Sequence, residues 1–146
     1  MAKLDLSLHL DAPAEKLIDL ATDYEKLSDY LPRQLKNIKI IEKKNNETIT
    51  QETLTFKTII KNEIEQKTKH ALENNIIKSE ILSGPAKGTL VTTTYENEEK
   101  GTLVLINVDL KLSFKAKFLQ PLIKKAYKSM LIGVLYKMNN DILEIK

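Results

Sequence analysis

The chain has 146 residues, of which 42% are hydrophobic, and its 23 basic and 20 acidic side chains give a net charge of +3. This composition argues against a disordered chain and predicts one globular domain spanning residues 1–146. The absence of cysteine excludes disulfides and thiolate chemistry. Because no secretion signal or long apolar run is present, we expect a cytoplasmic location.

The first predicted element is a β-strand. Leucine alternates with polar residues from Lys3 to Leu10, which indicates a strand with one buried face. Next, the pattern Asp-Ala-Pro-Ala-Glu predicts a helix from Pro13 to Thr22, with Asp11 as its capping residue. Asp23 is predicted to cap a second short helix that ends by Pro32.

The middle of the chain reads as a series of antiparallel strands separated by short turns. The predicted strands are 36–44, 47–56, 57–70, 75–83, 87–97 and 101–115. The boundary near Phe56 has no turn residue, so residues 47–70 are either two strands or one long bent strand. Alternation along these strands places Gln66, Thr68, Leu112 and Phe114 on the inward face.

The last predicted element is a helix from Gln120 to Ile145. An apolar stripe recurs along it at helical spacing, and the stripe comprises Leu122, Ile123, Ala126, Tyr127, Met130, Leu131, Val134, Leu135, Met138 and Ile142. Gly133 interrupts the helix where an alanine would be more stable by about 1 kcal/mol. The lack of a side chain at this position either lets the helix pack closely on the sheet or leaves room for a ligand.

Three sequence motifs are similar to those of a known superfamily. Residues 11–16, residues 23–32 and the turn Ser-Gly-Pro-Ala-Lys-Gly at 83–88 resemble the START-like superfamily, also called the polyketide cyclase/dehydrase and lipid transport superfamily. The turn resembles the coenzyme Q-binding branch most. This resemblance implies the α+β helix-grip fold. That fold is a seven-stranded curved antiparallel sheet around a long C-terminal helix, with two short helices after the first strand and an apolar cavity inside.

The candidate ligand-binding residues are the inward-facing side chains of the strands and of the last helix. They are Phe56, Ile60, Ile64, Ile77, Ile81, Val91, Thr93, Tyr95, Tyr127, Met130 and Val134. Such an apolar lining with a few polar groups is typical of a small-molecule site. It predicts a binding or transport protein for a lipid, an isoprenoid or a quinone-like molecule.

Other chemistries find little support in the sequence. His9 and His70 are the only histidines, so we predict no metal site and no cofactor. His9 is expected on the exposed face of its strand, and His70 on the inward face but at a strand end, with a role at the rim or in a turn. The carboxylates are expected mostly on outward faces of strands or on helix surfaces, which leaves no credible pair for acid–base catalysis and no predicted catalytic residue.

Lysines cluster near the last helix, in a stretch of residues 110–140 that contains no acidic residue. The cluster comprises Lys111, Lys115, Lys117, Lys124, Lys125 and Lys128. It is either a solvated helix face or a docking site for an anionic membrane or the ribosome. Specific DNA binding is not expected, because the chain has a single arginine, Arg33.

Two functions other than small-molecule binding also stay open. One is an enzyme of the polyketide cyclase/dehydrase type, in which hydroxyl and amide groups orient a reactive polyketone. The other resembles the ribosome-associating toxins of the same superfamily, with the lysine cluster as the docking surface. A buried ionisable group with a perturbed pKa would favour the enzyme.

Overall fold

The structure, a computed structural model, describes residues 2–55 and 63–144. The strands in these residues are β1 (Ala2–Leu10), β2 (Leu35–Lys44), β3 (Glu47–Leu54), β4 (Ile64–Glu73), β5 (Ile76–Ile81), β6 (Leu90–Asn97) and β7 (Thr102–Leu110). The α-helices are α1 (Ala14–Ala21) and α2 (Gln120–Leu143), and two short 3₁₀ helices occupy Tyr24–Asp29 and Lys117–Leu119. The predicted helix end at Ile145 lies outside the described residues.

The strands form one antiparallel sheet of seven, in the order β1-β7-β6-β5-β4-β3-β2. Consecutive strands pair because short turns join them, and Asn74 and Asn75 accommodate one such turn with positive φ angles of 50° and 62°. β3 and β4 pair from Glu47 opposite Ala71 to Leu54 opposite Ile64. Residues 47–70 therefore contain two strands, and the seven-stranded prediction is confirmed.

The region after β7 differs from the prediction. β7 ends at Leu110, whereas the sequence predicted a strand to residue 115. The N–H of Ala116 donates to the Ser113 carbonyl at 2.9 Å, so the chain turns instead of continuing in the sheet. Phe114 was predicted to face inward, but its side chain is 91% exposed. Alternation along the sequence predicts which face of the sheet a side chain lies on only within the strand itself.

The predicted helix caps are also partly wrong. Asp11 does not cap α1, which begins at Ala14, and no side-chain cap is present at either α1 or the first 3₁₀ helix. Instead, the Oδ1 atom of Asn139 in α2 accepts the Ala12 N–H at 2.9 Å. A side chain distant in sequence thus satisfies the backbone where a local cap was expected.

α2 closes the concave side of the sheet, and its backbone comes closest to β1 and α1. Leu135 and Met138 of α2 are buried in the same core as Leu10 and Leu17. Farther along the sheet, α2 and the strands β3–β6 are separated by open space. Among the described residues, no helix is long and apolar enough to cross a membrane.

Candidate functional site

A cavity of about 230 Å³ lies between α2 and the strands. It is larger than an apolar cavity of about 150 Å³ that suffices to hold benzene. The cavity wall includes apolar side chains of α2 and inward-facing side chains of β2 to β7. It therefore has room for a molecule of about one or two rings.

Most of the residues predicted to bind a ligand lie on this wall. They are Ile77, Ile81, Val91, Thr93, Tyr95, Tyr127, Met130 and Val134. Ile64 lines a second, smaller cavity of about 30 Å³ that shares Tyr127, Leu54 and Gln66 with the first. Phe56 and Ile60 lie outside the described residues.

A row of hydrogen-bonded polar side chains crosses the sheet at the cavity. It comprises Thr50, Glu52, Gln66, Thr68, His70 and Ser79, and we call it the polar row. The strand register brings it together, because Glu52 lies opposite Gln66 and His70 lies opposite Ser79. Side chains opposite or diagonal to each other on neighbouring strands are close enough to bond.

Glu52 is the buried carboxylate of the polar row and is only 7% exposed. Its Oε1 atom accepts hydrogen bonds from the Thr68 hydroxyl at 2.6 Å and from the Gln66 amide at 3.4 Å. Its Oε2 atom accepts one from the Thr50 hydroxyl at 3.2 Å. Burial raises the pKa of Glu52, and the three hydrogen bonds partly oppose this rise because they favour the ionised form.

His70 is the second ionisable group of the row. Its Nε2 atom lies 2.9 Å from the Thr50 hydroxyl, and its Nδ1 atom lies 2.7 Å from the Ser79 hydroxyl. Its ring stacks on Tyr24, with the ring centres 4.3 Å apart. Burial lowers the pKa of His70 to about 4, so the ring is neutral near pH 7.

Three tyrosines on the cavity wall keep their hydroxyl protons. Burial raises the pKa of Tyr24 and of Tyr127 to about 12, and the nearby Glu52 adds to the effect at Tyr127. Burial also raises the pKa of Tyr95. The site thus presents neutral phenols, a neutral imidazole and one buried carboxyl group.

The positions of Glu52 and His70 correct two sequence predictions. His70 faces inward as its parity predicted, but it was expected at a strand end with a rim or turn role, whereas it lies within β4 and is buried. The carboxylates were expected mostly to face outward and to offer no acid–base group, but Glu52 faces the cavity. Counting alternate residues back from the predicted inward Phe56 would have placed Glu52 inside. Its charge argued against that placement, because burying an isolated carboxylate is costly.

The other predicted features lie away from this site. His9 is half-exposed, and its Nε2 atom lies 2.7 Å from the Lys100 carbonyl oxygen. A Cβ atom built at Gly133 would meet nothing within 4 Å, so close packing does not explain this glycine. Gly133 is not among the residues that line the main cavity. No group of three potential metal ligands occurs within residues 2–55 and 63–144.

Sequence comparison adds nothing here, because no family model and no curated protein matches the chain. Solved structures do match its fold. TTHA0849 of Thermus thermophilus has a TM-score of 0.82 and 16% identity, and the match covers 98% of both chains. The Zhui aromatase/cyclase of a Streptomyces species has a TM-score of 0.80 and 11% identity, over 97% of this chain and 95% of that one.

A third match is a START superfamily protein of Mycobacterium smegmatis. It has a TM-score of 0.76 and 14% identity, and the match covers 99% of both chains. These likenesses confirm the START-like helix-grip fold that the sequence motifs suggested. A shared fold at this level of identity does not assign a ligand or a reaction.

Proposed function

We propose that this protein binds an apolar small molecule with at least one polar group in the cavity between α2 and the sheet. The observation that carries the proposal is the two-sided cavity wall. Met130, Leu131 and Val134 of α2 are apolar, whereas Glu52 and His70 belong to the polar row. Apolar burial supplies affinity, at roughly 25 cal/mol per Å² before ordering costs, and the polar row orients the ligand.

The chemistry of the polar row narrows the ligand class. A neutral imidazole and phenol hydroxyls suit a carbonyl or hydroxyl oxygen. A compact isoprenoid or a quinone-like molecule of one or two rings has both an apolar body and an oxygen for the polar row. The volume of the cavity favours such a molecule over a long-chain lipid. The START-like fold supports the proposal as the scaffold of a binding site.

The first test is native mass spectrometry of the purified protein, followed by extraction of any bound molecule. A second test titrates the protein with β-naphthol, a fluorescent two-ring alcohol. Val134→Phe should fill the cavity and weaken binding at least about tenfold, since it removes the space for a ring. The control is Ser129→Phe, which adds similar bulk on the exposed part of α2. Equal binding by both folded variants would contradict the proposal.

A second candidate function is an acid–base enzyme of the cyclase/dehydrase type, and the burial of Glu52 beside His70 favours it. Neutral His70 can remove a proton from the carbon next to a carbonyl through Nδ1, once the Ser79 hydroxyl no longer donates to that nitrogen, and the electron pair forms a carbon–carbon double bond as hydroxide leaves the β-carbon. Protonated Glu52 gives its proton to that hydroxide, which departs as water. The proton on His70 then returns to Glu52 through the Thr50 hydroxyl, so the protein is unchanged.

The enzyme hypothesis can be tested with the aldol adduct of acetone and benzaldehyde. Its dehydration yields benzalacetone and water, and the absorbance of benzalacetone reports the rate. Glu52→Gln and His70→Gln should each slow the reaction by about 100-fold or more. Both variants keep Val134, so the space for the ligand stays the same. If the wild type is no faster than buffer while it binds the product, the protein is a binding protein only.

A further inference from the structure

Three large apolar side chains are exposed at the junction between β7 and α2. Phe114 is 91% exposed, Phe118 is 78% exposed and Leu122 is 51% exposed. They lie within nine residues of sequence: Phe114 and Phe118 are in the turns that lead into α2, and Leu122 is in the first turn of α2. At about 1.5 to 2 Å of rise per residue, they fall within roughly 16 Å of one another. We call them the apolar tip.

The backbone of this segment is held in place, so the exposure is not that of a loose loop. The Ser113 N–H donates to the Pro85 carbonyl at 2.8 Å. The Thr89 hydroxyl donates to the Lys111 carbonyl and accepts the Lys111 N–H, at 3.0 and 2.9 Å. On the inner side of the segment, Leu112 and Ala116 line the smaller cavity. The inward positions are thus already occupied, and the apolar tip stays in solvent.

The lysine cluster is interleaved with the apolar tip along the sequence. Lys111, Lys115, Lys117, Lys125 and Lys128 are exposed, and Lys124 is half-buried. Within the described residues, none of these lysines has a carboxylate partner within 4.0 Å. The surface therefore combines exposed apolar side chains with lysines that no carboxylate neutralises. An anionic bilayer is complementary to both, because its interface accepts aromatic rings and its headgroups carry the opposite charge.

We propose that residues 111–128 form a docking surface for anionic membranes. Phe114, Phe118 and Leu122 enter the interface between headgroups and acyl chains, and the lysines contact lipid phosphates. The inner side of the same segment lines the smaller cavity, which shares Tyr127 with the main one. Docking therefore places the bilayer against the end of the molecule nearest these cavities. The docking itself does not depend on the cavity holding a ligand.

Vesicle flotation tests the proposal. The protein should bind phosphatidylcholine vesicles that contain phosphatidylglycerol, and it should bind pure phosphatidylcholine vesicles much less. Lys115→Glu with Lys125→Glu should weaken binding about tenfold or more, as should Phe114→Ser with Phe118→Ser. The matched control is Ile41→Ser with Lys43→Glu, which changes the exposed apolar and basic residues of β2 and should leave binding unchanged.

A single tryptophan provides a direct readout of insertion, because the chain has none. In Phe118→Trp the emission should shift to the blue on anionic vesicles and be quenched by brominated lipid. Tyr136→Trp, which is exposed farther along α2, should show neither effect. Equal binding to neutral vesicles, insensitivity to the substitutions, or an unchanged emission of the Phe118→Trp variant would each overturn the proposal. Binding to ribosomal RNA without binding to vesicles would overturn it as well.

Discussion

At the scale of single residues, the Thr50 hydroxyl determines which nitrogen of His70 carries the proton. While Glu52 is ionised, Thr50 donates its one hydroxyl proton to the carboxylate. It can therefore only accept from His70, so the proton lies on Nε2 and the Ser79 hydroxyl donates to Nδ1. We expect ¹⁵N NMR at neutral pH to show the Nε2–H tautomer of His70. Thr50→Val should abolish that preference, and an Nδ1–H tautomer in the wild type would contradict the assignment.

The lowered pKa of His70 makes the folded state sensitive to acid. The unfolded chain takes up a proton near pH 6.5, but the folded protein does so only near pH 4, so lowering the pH through this window stabilises the unfolded state. The difference corresponds to about 3 kcal/mol at most. Urea unfolding of the wild type and of His70→Gln should show the wild type losing this stability relative to the variant between pH 6.5 and 4. If the stability of the two proteins changes equally with pH over this range, the lowered pKa of His70 is refuted.

Glu52 has the opposite effect on stability. Its folded pKa is raised, so the folded state favours the protonated carboxyl, and stability is lost as the pH rises from 4.5 through the folded pKa. Glu52→Gln removes this dependence. Compared with that variant, the wild type should become progressively less stable above pH 4.5 in urea unfolding experiments. A wild type that gains stability relative to the variant would show that the three hydrogen bonds outweigh burial.

At the scale of elements, two glycines make a matched pair. Gly101 begins the approach to β7 with φ at 90°, and a Cβ atom there would collide with the Leu10 carbonyl oxygen at the end of β1. Gly101→Ala should therefore lower the free energy of unfolding by about 2 kcal/mol or more. In α2, Gly133→Ala meets open space and should stabilise the protein by up to about 1 kcal/mol. Thermal unfolding measures both, and a destabilised Gly133→Ala would reveal packing at that position.

At the scale of the whole molecule, the cavity couples ligand binding to folding. α2 is buried against β1 and α1, whereas the cavity lies between it and β3–β6, so a ligand bound as proposed would contact both the C-terminal helix and the strands in the middle of the chain. β-Naphthol at 100 times its dissociation constant should raise the free energy of unfolding by about 2.7 kcal/mol. Urea unfolding should show this gain for the wild type and for Ser129→Phe, but not for Val134→Phe. A gain in all three would place the site outside the cavity.

The sequence alone determined the order of the elements, because alternation, turn residues and helical spacing are local patterns. It also determined most of the cavity wall, since Tyr95 and Val134 face inward by the same periodicities. Only the tertiary structure placed Glu52 and His70 together. A buried carboxyl needs hydrogen-bond donors, and those of Glu52 include Gln66 and Thr68 on the neighbouring strand.

The exposure of the apolar tip is likewise a result of tertiary structure. Phe114 continues the alternation of β7, and nothing in its immediate sequence marks the end of the strand. The strand ends because hydrogen bonds from Thr89 and to Pro85, both distant in sequence, hold residues 111–113 where the chain turns toward α2. Local periodicity specifies which face of an element is apolar. Whether that face is covered depends on partners that only the folded chain brings within reach.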